Sequence, residues 1–287
     1  HRDPGCHGVG GELMPWWQAL VLGLVQGATE FWPVSSSGHL ELTRWAFGWD
    51  GTGSDSVDQA VDVALHLGTL VAVVGYFRHD IVALVRAGIE SLVPGRTVDE
   101  GSARLARLYV VSAIPASLAG VIFEDVIGDR LGIPAIIAVS LIVFGVMLFW
   151  ADRAPGTRDV SSVGLRDALT IGAAQVLALN PGTSRSGITI AAGRLCGLSR
   201  DAAARFAFVM GVPVIAGAGV WKLVGLARDG VPDGVVSAMV VGVAAATVSG
   251  VAAVWATLRI VQRVSFAPFV AYRVVLGVVV LVAVAAG

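Results

Sequence analysis

Charged side chains are scarce in this chain: Asp, Glu, Lys and Arg make up 14% of its 287 residues, against 55% hydrophobic residues and a mean hydropathy of +0.77. An ordinary soluble domain carries about 25% charged residues, so that class is excluded. The net charge of -1 and a pI near 6.6 leave no basic patch of the kind nucleic acid requires, and nearly all the basic residues are arginines scattered among short loops. Cysteine is rarer still. Cys6 and Cys196 make neither a disulfide framework nor a metal-ligand spacing. The first residues, HRDPGCHGVGGEL, lack the apolar core a signal peptide needs. Met14 is the expected natural start, and residues 1–13, with His1 and His7, are expected to be a disordered extension. What remains is a polytopic helical membrane protein.

Six stretches are long enough to cross a hydrocarbon layer, which takes about 17 to 25 residues: 59–77, 105–123, 134–150, 201–225, 234–257 and 269–287. Two shorter apolar segments, 15–29 and 165–179, each run directly into a polar cluster and then into a second short helical stretch. That is the pattern of a re-entrant helical hairpin. A segment at 80–93, with Asp80, Arg86 and Glu90, reads as an interfacial helix. Trp16, Trp17, Trp45 and Trp49 flank the first unit as interfacial anchors.

The chain repeats itself. At an offset of 149 residues, Ala19, Leu20, Gly23, Gln26, Ser35, Ser37 and Gly38 match Ala168, Leu169, Gly172, Gln175, Ser184, Ser186 and Gly187. A weaker match at offset 143 pairs Ala64, Gly68 and Val71 with Ala207, Gly211 and Val214. Repeat 1 spans about 15–150 and repeat 2 about 165–287, within one membrane domain from 14 to 287. Three spans separate the two short units, an odd number, so the second must enter from the opposite face. The expected fold is therefore all-α and polytopic: six transmembrane helices plus two re-entrant helical hairpins in an inverted-topology repeat.

Loop charges orient it. Arg78, Arg86, Arg96 and Arg104, then Arg153, Arg158 and Arg166, then Arg259 and Arg263 fall on one side by helix parity. The opposite loops hold Glu124, Asp125, Asp129, Asp229 and Asp233 against Arg130 and Arg228. The arginine-rich side is expected to be cytoplasmic, which puts both termini and the first unit on the outer face.

The two polar clusters are GATEFWPVSSSGH, from Gly27 to His39, and NPGTSRSG, from Asn180 to Gly187. Gln26 and Glu30 stand four apart and share a helix face, an oxygen-rich pair suited to a magnesium or calcium ion that also binds phosphate. A carboxylate at the centre of a membrane helix costs about 2.5 to 3.5 kcal/mol on insertion scales, which argues for function. Pro33 ends the helix. Ser35, Ser36, Ser37 and Gly38 then offer hydroxyls and amides as an anion nest, with helix capping as the plainer reading. Thr183, Ser184, Ser186 and Gly187 are their counterparts in the second cluster. His39 is a candidate general acid, general base or phosphoryl acceptor. Arg185, between two serines in apolar sequence, calls for an anion, and its fork matches phosphate oxygens; a buried salt bridge to Glu30 is the competing reading. Asp62 and His66 form another i, i+4 pair, in a supporting role, and Asp62 is expected to pair with its repeat mate Arg205.

At these residues the chain resembles the undecaprenyl-diphosphatase family, also called the bacitracin-resistance protein family. The resemblance rests on Q-x-x-x-E (Gln26 to Glu30), PVSSSGH, VDVALHLGT from Val61 to Thr69, PGTSRSG from Pro181 to Gly187, and ARFAFVMGVP from Ala204 to Pro213. It implies a multi-pass phosphatase of the bacterial inner membrane that removes one phosphate from undecaprenyl diphosphate. That activity recycles the lipid carrier for peptidoglycan and underlies bacitracin resistance. It further implies Glu30 as the metal-linked carboxylate, Ser36 and His39 as candidates for nucleophile or proton transfer, and Arg185 as the diphosphate clamp. Gln26 stands where many members have a second glutamate. A homodimer is one expectation for the assembly. The rival reading is a transporter or flippase of a lipid phosphate or other anion, since inverted repeats with paired re-entrant segments also build transporters.

Overall fold

The computed structural model describes residues 14–49, 55–123, 132–230 and 235–286. The expected N-terminal extension and the loop charges Glu124, Asp125, Asp129, Arg130 and Asp233 lie outside the described residues. Within them the chain is helical, with no β-strand: α1 (Trp16–Phe31), α2 (Ser36–Phe47), α3 (Asp55–Tyr76), α4 (Arg78–Glu90), α5 (Glu100–Ile122), α6 (Pro134–Asp152), α7 (Leu165–Gln175), a 3-10 turn (Val176–Leu179), α8 (Arg185–Leu195), α9 (Arg200–Asp229), α10 (Val236–Val261) and α11 (Ala267–Ala286). Six of these, α3, α5, α6, α9, α10 and α11, are long and apolar enough to cross a membrane. The molecule is an all-α polytopic membrane protein.

Local chemistry sets the helix ends. Pro33 holds Trp32 extended, and α1 stops there. Pro134 opens α6, where a missing N–H is harmless. Asp99 and Ser199 cap α5 and α9 by accepting from Gly101 N and Ala202 N. The two polar-turn units are present as helix pairs, α1 with α2 and α7 with α8, and three apolar helices lie between them in the chain.

The halves interlock. The first helix of each unit packs on the middle span of the other half: α1 lies along α10, and α7 along α5. The repeat-matched glycines make both contacts close. A Cβ on Gly23 would run into the Gly242 carbonyl and Ala245, and one on Gly172 into the Ser112 carbonyl. Like spans of the two halves also meet, α3 against α9 and α6 against α11, and α3 packs in addition along α10. Phe31, Phe206, Phe208 and Phe266 fill the main core, and both polar turns sit inside the bundle.

Candidate active site

Each turn pivots on a serine in a backbone conformation that favours glycine. Ser35 has φ 78° and Ser184 φ 75°, and among the described residues no other non-glycine has positive φ. Such geometry costs on the order of 1 to 3 kcal/mol per residue and persists only where surrounding bonds over-determine it. They do so here. Ser35 Oγ accepts from Gly38 N at 3.4 Å, capping α2, and from Gly182 N of the other turn at 3.0 Å. Ser184 Oγ accepts from Gly187 N at 3.1 Å, and Ser186 Oγ donates to the Trp32 carbonyl at 3.0 Å. Each turn thus caps its own helix and ties itself to the other.

A single side chain from α11 clamps the two. Arg273 is fully buried and donates to the carbonyls of Pro33 (3.0 Å) in the first turn, Gly182 and Thr183 (both 2.9 Å) in the second, and Leu141 (3.1 Å). Its hydrogen-bond partners are all carbonyl oxygens. Charge-assisted bonds of this type are stronger than neutral ones, so Arg273 fixes the spacing of the turns and leaves a positive charge behind them.

The turns open onto a cavity of about 490 Å³. Glu30 lies at its inner wall, and its two oxygens divide the work: Oε1 meets Arg185 Nη2 at 3.0 Å, while Oε2 accepts from Ser36 Oγ at 2.5 Å and from Gln26 Nε2 at 3.1 Å. Arg185 reaches Glu30 by that one nitrogen; its Nε and Nη1 are buried without a hydrogen-bond partner. The guanidinium lies against Gly211, where a Cβ would overlap it and make it shift. Gln26 Oε1 is likewise buried and unpartnered. A hydroxyl held on a carboxylate, with free guanidinium N–H groups beside it, can deliver a nucleophile to a bound phosphoryl group.

The predicted residues divide into two groups. Glu30, Ser35, Ser36, Ser37, Ser184 and Arg185 line the cavity, with Asp62 and His66 across from them on α3. Gly38, Thr183, Ser186 and Gly187 do not; the Gly38 and Gly187 amides, expected in the anion nest, are instead bonded to the hydroxyls of Ser35 and Ser184, and Thr183 accepts from Asn180. His39 also turns away from the cavity. Its Nδ1 donates to the Ser35 carbonyl at 2.7 Å, and Nε2 faces the Tyr272 hydroxyl at 2.8 Å, the rings stacked at 5.6 Å. The group placed to take a proton from Ser36 is Glu30. Asp62 does not pair with Arg205, which bonds Asp201 at 2.7 Å; Asp62 holds the buried Arg44 at 2.5 Å. Salt bridge and free donors coexist on Arg185, so the two readings of that residue meet in one geometry.

Arg273, Arg44, Gly211 and Gln175 were not singled out as site residues from sequence. Arg273 carried a usable signal, a lone cation inside an apolar span, which is a functional flag by itself. Gly211 had its repeat match and its place in the ARFAFVMGVP motif, and Gln175 only its equivalence to Gln26.

A family model described as bacitracin resistance protein BacA matches residues 19–279. Among curated relatives, the undecaprenyl-diphosphatase of Thermomicrobium roseum is 44% identical, with 93% of this chain and 98% of the relative covered. The undecaprenyl-diphosphatase of Hahella chejuensis is 44% identical over 92% and 96%, and undecaprenyl-diphosphatase 2 of Stutzerimonas stutzeri 44% over 92% and 97%. A match over nearly the whole chain, including both polar turns, leaves one conclusion: this protein belongs to the bacitracin resistance protein BacA family.

Proposed function

We propose that this protein hydrolyses undecaprenyl diphosphate to undecaprenyl phosphate and phosphate, recycling the lipid carrier of cell-wall synthesis and protecting against bacitracin. The observation that carries the chemistry is the 2.5 Å bond from Ser36 Oγ to Glu30 Oε2, in a cavity that Arg185 also lines. Family membership and the names of the relatives support the substrate.

Ser36 Oγ attacks the terminal phosphorus. Its proton passes to Glu30 Oε2 as the Oγ–P bond forms and the bridging P–O bond breaks, releasing the lipid monophosphate. Water then attacks the phosphoserine, and Glu30 returns its proton to Ser36 Oγ; one proton of the water stays on phosphate and the other leaves to solvent. The free Arg185 N–H groups stabilise the charge of the transferring phosphoryl. The apolar lining, including Val214, Ile215 and Ala218, receives the first part of the isoprenoid.

Among the described residues no three His, Cys, Asp or Glu side chains gather as a metal cage. The unpartnered Gln26 Oε1 beside Glu30 has the oxygen chemistry that suits a hard divalent cation, magnesium or calcium. Glu30 and Gln26 would hold it, and it would neutralise phosphate charge. The turn units are read as re-entrant, the site as open to the outer face of the bacterial inner membrane.

Purified protein in detergent is expected to release phosphate from a prenyl diphosphate, and to lose the activity with a chelator. Ser36→Ala should reduce release by at least about 100-fold while keeping the fold. It separates chemistry from stability better than Glu30→Ala or Arg185→Ala, each of which strands a buried charge at a cost of about 3 to 5 kcal/mol. Substrate movement across liposomes without phosphate release would replace the enzyme by a transporter.

A further inference from the structure

Gln175 is 2% exposed and lines the cavity, yet neither its side-chain oxygen nor its nitrogen has a hydrogen-bond partner. Buried amides are almost always bonded, and leaving both ends open is costly. Its repeat mate Gln26 uses its nitrogen on Glu30. Gln175 has no such neighbour: on its own segment the next lining residues are Ala178 and Leu179, and α5 contributes Ala116. One helical turn earlier, Gly172 brings the α7 backbone against the Ser112 carbonyl of α5, which fixes where Gln175 stands. The cavity therefore presents the acid–hydroxyl pair Glu30 with Ser36 and, on α7, an unsatisfied amide; apolar residues and the polar Gln59, Asp62, His66 and Lys222 complete its lining. Arg185, also lining it, keeps Nε and Nη1 unpartnered.

We propose that Gln175 binds the lipid-side phosphate of the substrate, the one that stays on the prenyl chain, while Arg185 serves the terminal phosphoryl. This rests on the phosphatase reading above. Gln175 Nε2 donates to a non-bridging oxygen of that phosphate, and Oε1 accepts from a water or phosphate hydroxyl in the same pocket. A phosphate followed directly by isoprenoid is the ligand that matches a polar group set in an apolar lining. Gln175 makes no hydrogen bond to the acid–hydroxyl pair, so its work is recognition: it holds the leaving phosphate and, after cleavage, the monophosphate product.

The test uses the full chain in detergent with farnesyl monophosphate and inorganic phosphate as probes, binding read by thermal shift and calorimetry. Gln175→Leu should weaken farnesyl monophosphate by about tenfold or more, the scale of one hydrogen bond to a charged group. KM for farnesyl diphosphate should rise in parallel, with kcat within about threefold and inorganic phosphate binding unchanged. Gln175→Glu should weaken the monophosphate further by like-charge repulsion. Because Leu removes an unsatisfied amide, the ligand-free variant should unfold no earlier than wild type. Wild-type affinity for farnesyl monophosphate in Gln175→Leu overturns the proposal, and so does an equal loss of inorganic phosphate. Should either variant fold poorly, the other carries the same comparison. Wild type that binds farnesyl monophosphate but releases no phosphate would end the phosphatase reading and leave this subsite standing; wild-type turnover with an indifferent Gln175→Leu would do the reverse.

Discussion

At the scale of single residues, the site is a set of polar groups that have only one another to bond. Glu30 takes a hydroxyl, an amide and a guanidinium, Arg185 keeps unused donors, and Arg273 spends its own on four carbonyls. Gly211 shows how little separates packing from chemistry here. Alanine in a helix interior is favoured over glycine by about 0.5 to 1 kcal/mol, but a Cβ at 211 would displace the Arg185 guanidinium. Gly211→Ala is therefore expected to leave the unfolding midpoint within a few degrees of wild type while phosphate release falls about 100-fold, the scale of losing one aimed donor. Wild-type turnover in that variant would mean Arg185 needs no fixed seat. Glu30, Ser36 and Arg185 were legible in the sequence because polar groups in apolar surroundings are expensive and so mark themselves. His39 shows what sequence leaves open: nearness along the chain says nothing of direction, and its ring folds back on the Ser35 carbonyl and out to Tyr272.

At the scale of elements, the unit of construction is a helix pair whose turn is capped by a strained serine and whose first helix leans on the other half. Helix positions followed from apolar length, and most observed ends fall within a few residues of those expected. The segment 165–179 is the exception, an α-helix that tightens into a 3-10 turn at Val176–Leu179. Asn180, before Pro181, is extended, so the last turn has no room to continue as α. The repeat-matched close approaches give a symmetric prediction. Gly23→Val and Gly172→Val each push a side chain into a facing carbonyl and should each destabilise by about 1 to 3 kcal/mol, the usual cost of overpacking, seen as a lower unfolding midpoint in detergent. A large effect at one position with none at the other would show that the two contacts are not equivalent.

At the scale of the molecule, three apolar helices between the units and arginines gathered in alternate loops support the proposed orientation, which labelling can check. Phe47, 67% exposed at the end of α2, is assigned to the outer side, and Leu92, 81% exposed after α4, to the cytoplasmic side. With Cys6 and Cys196 replaced by serine, a Phe47→Cys variant should react with a membrane-impermeant maleimide in intact cells. A Leu92→Cys variant should react only after permeabilisation; the opposite pattern would invert the protein and turn the site to the cytoplasm. The composition by itself determined the solvent, because a chain with so few charges has nowhere else to bury its apolar surface. The repeat and the polar clusters determined that two serine turns would meet, since irregular polar backbone at membrane depth must find partners inside the protein. Only the tertiary structure decided which groups face the cavity. A hydrogen bond such as Ser36 to Glu30, a seat such as Gly211 for Arg185, or a clamp such as Arg273 across both turns joins residues by distance and direction, and spacing along the sequence encodes neither across a packed bundle.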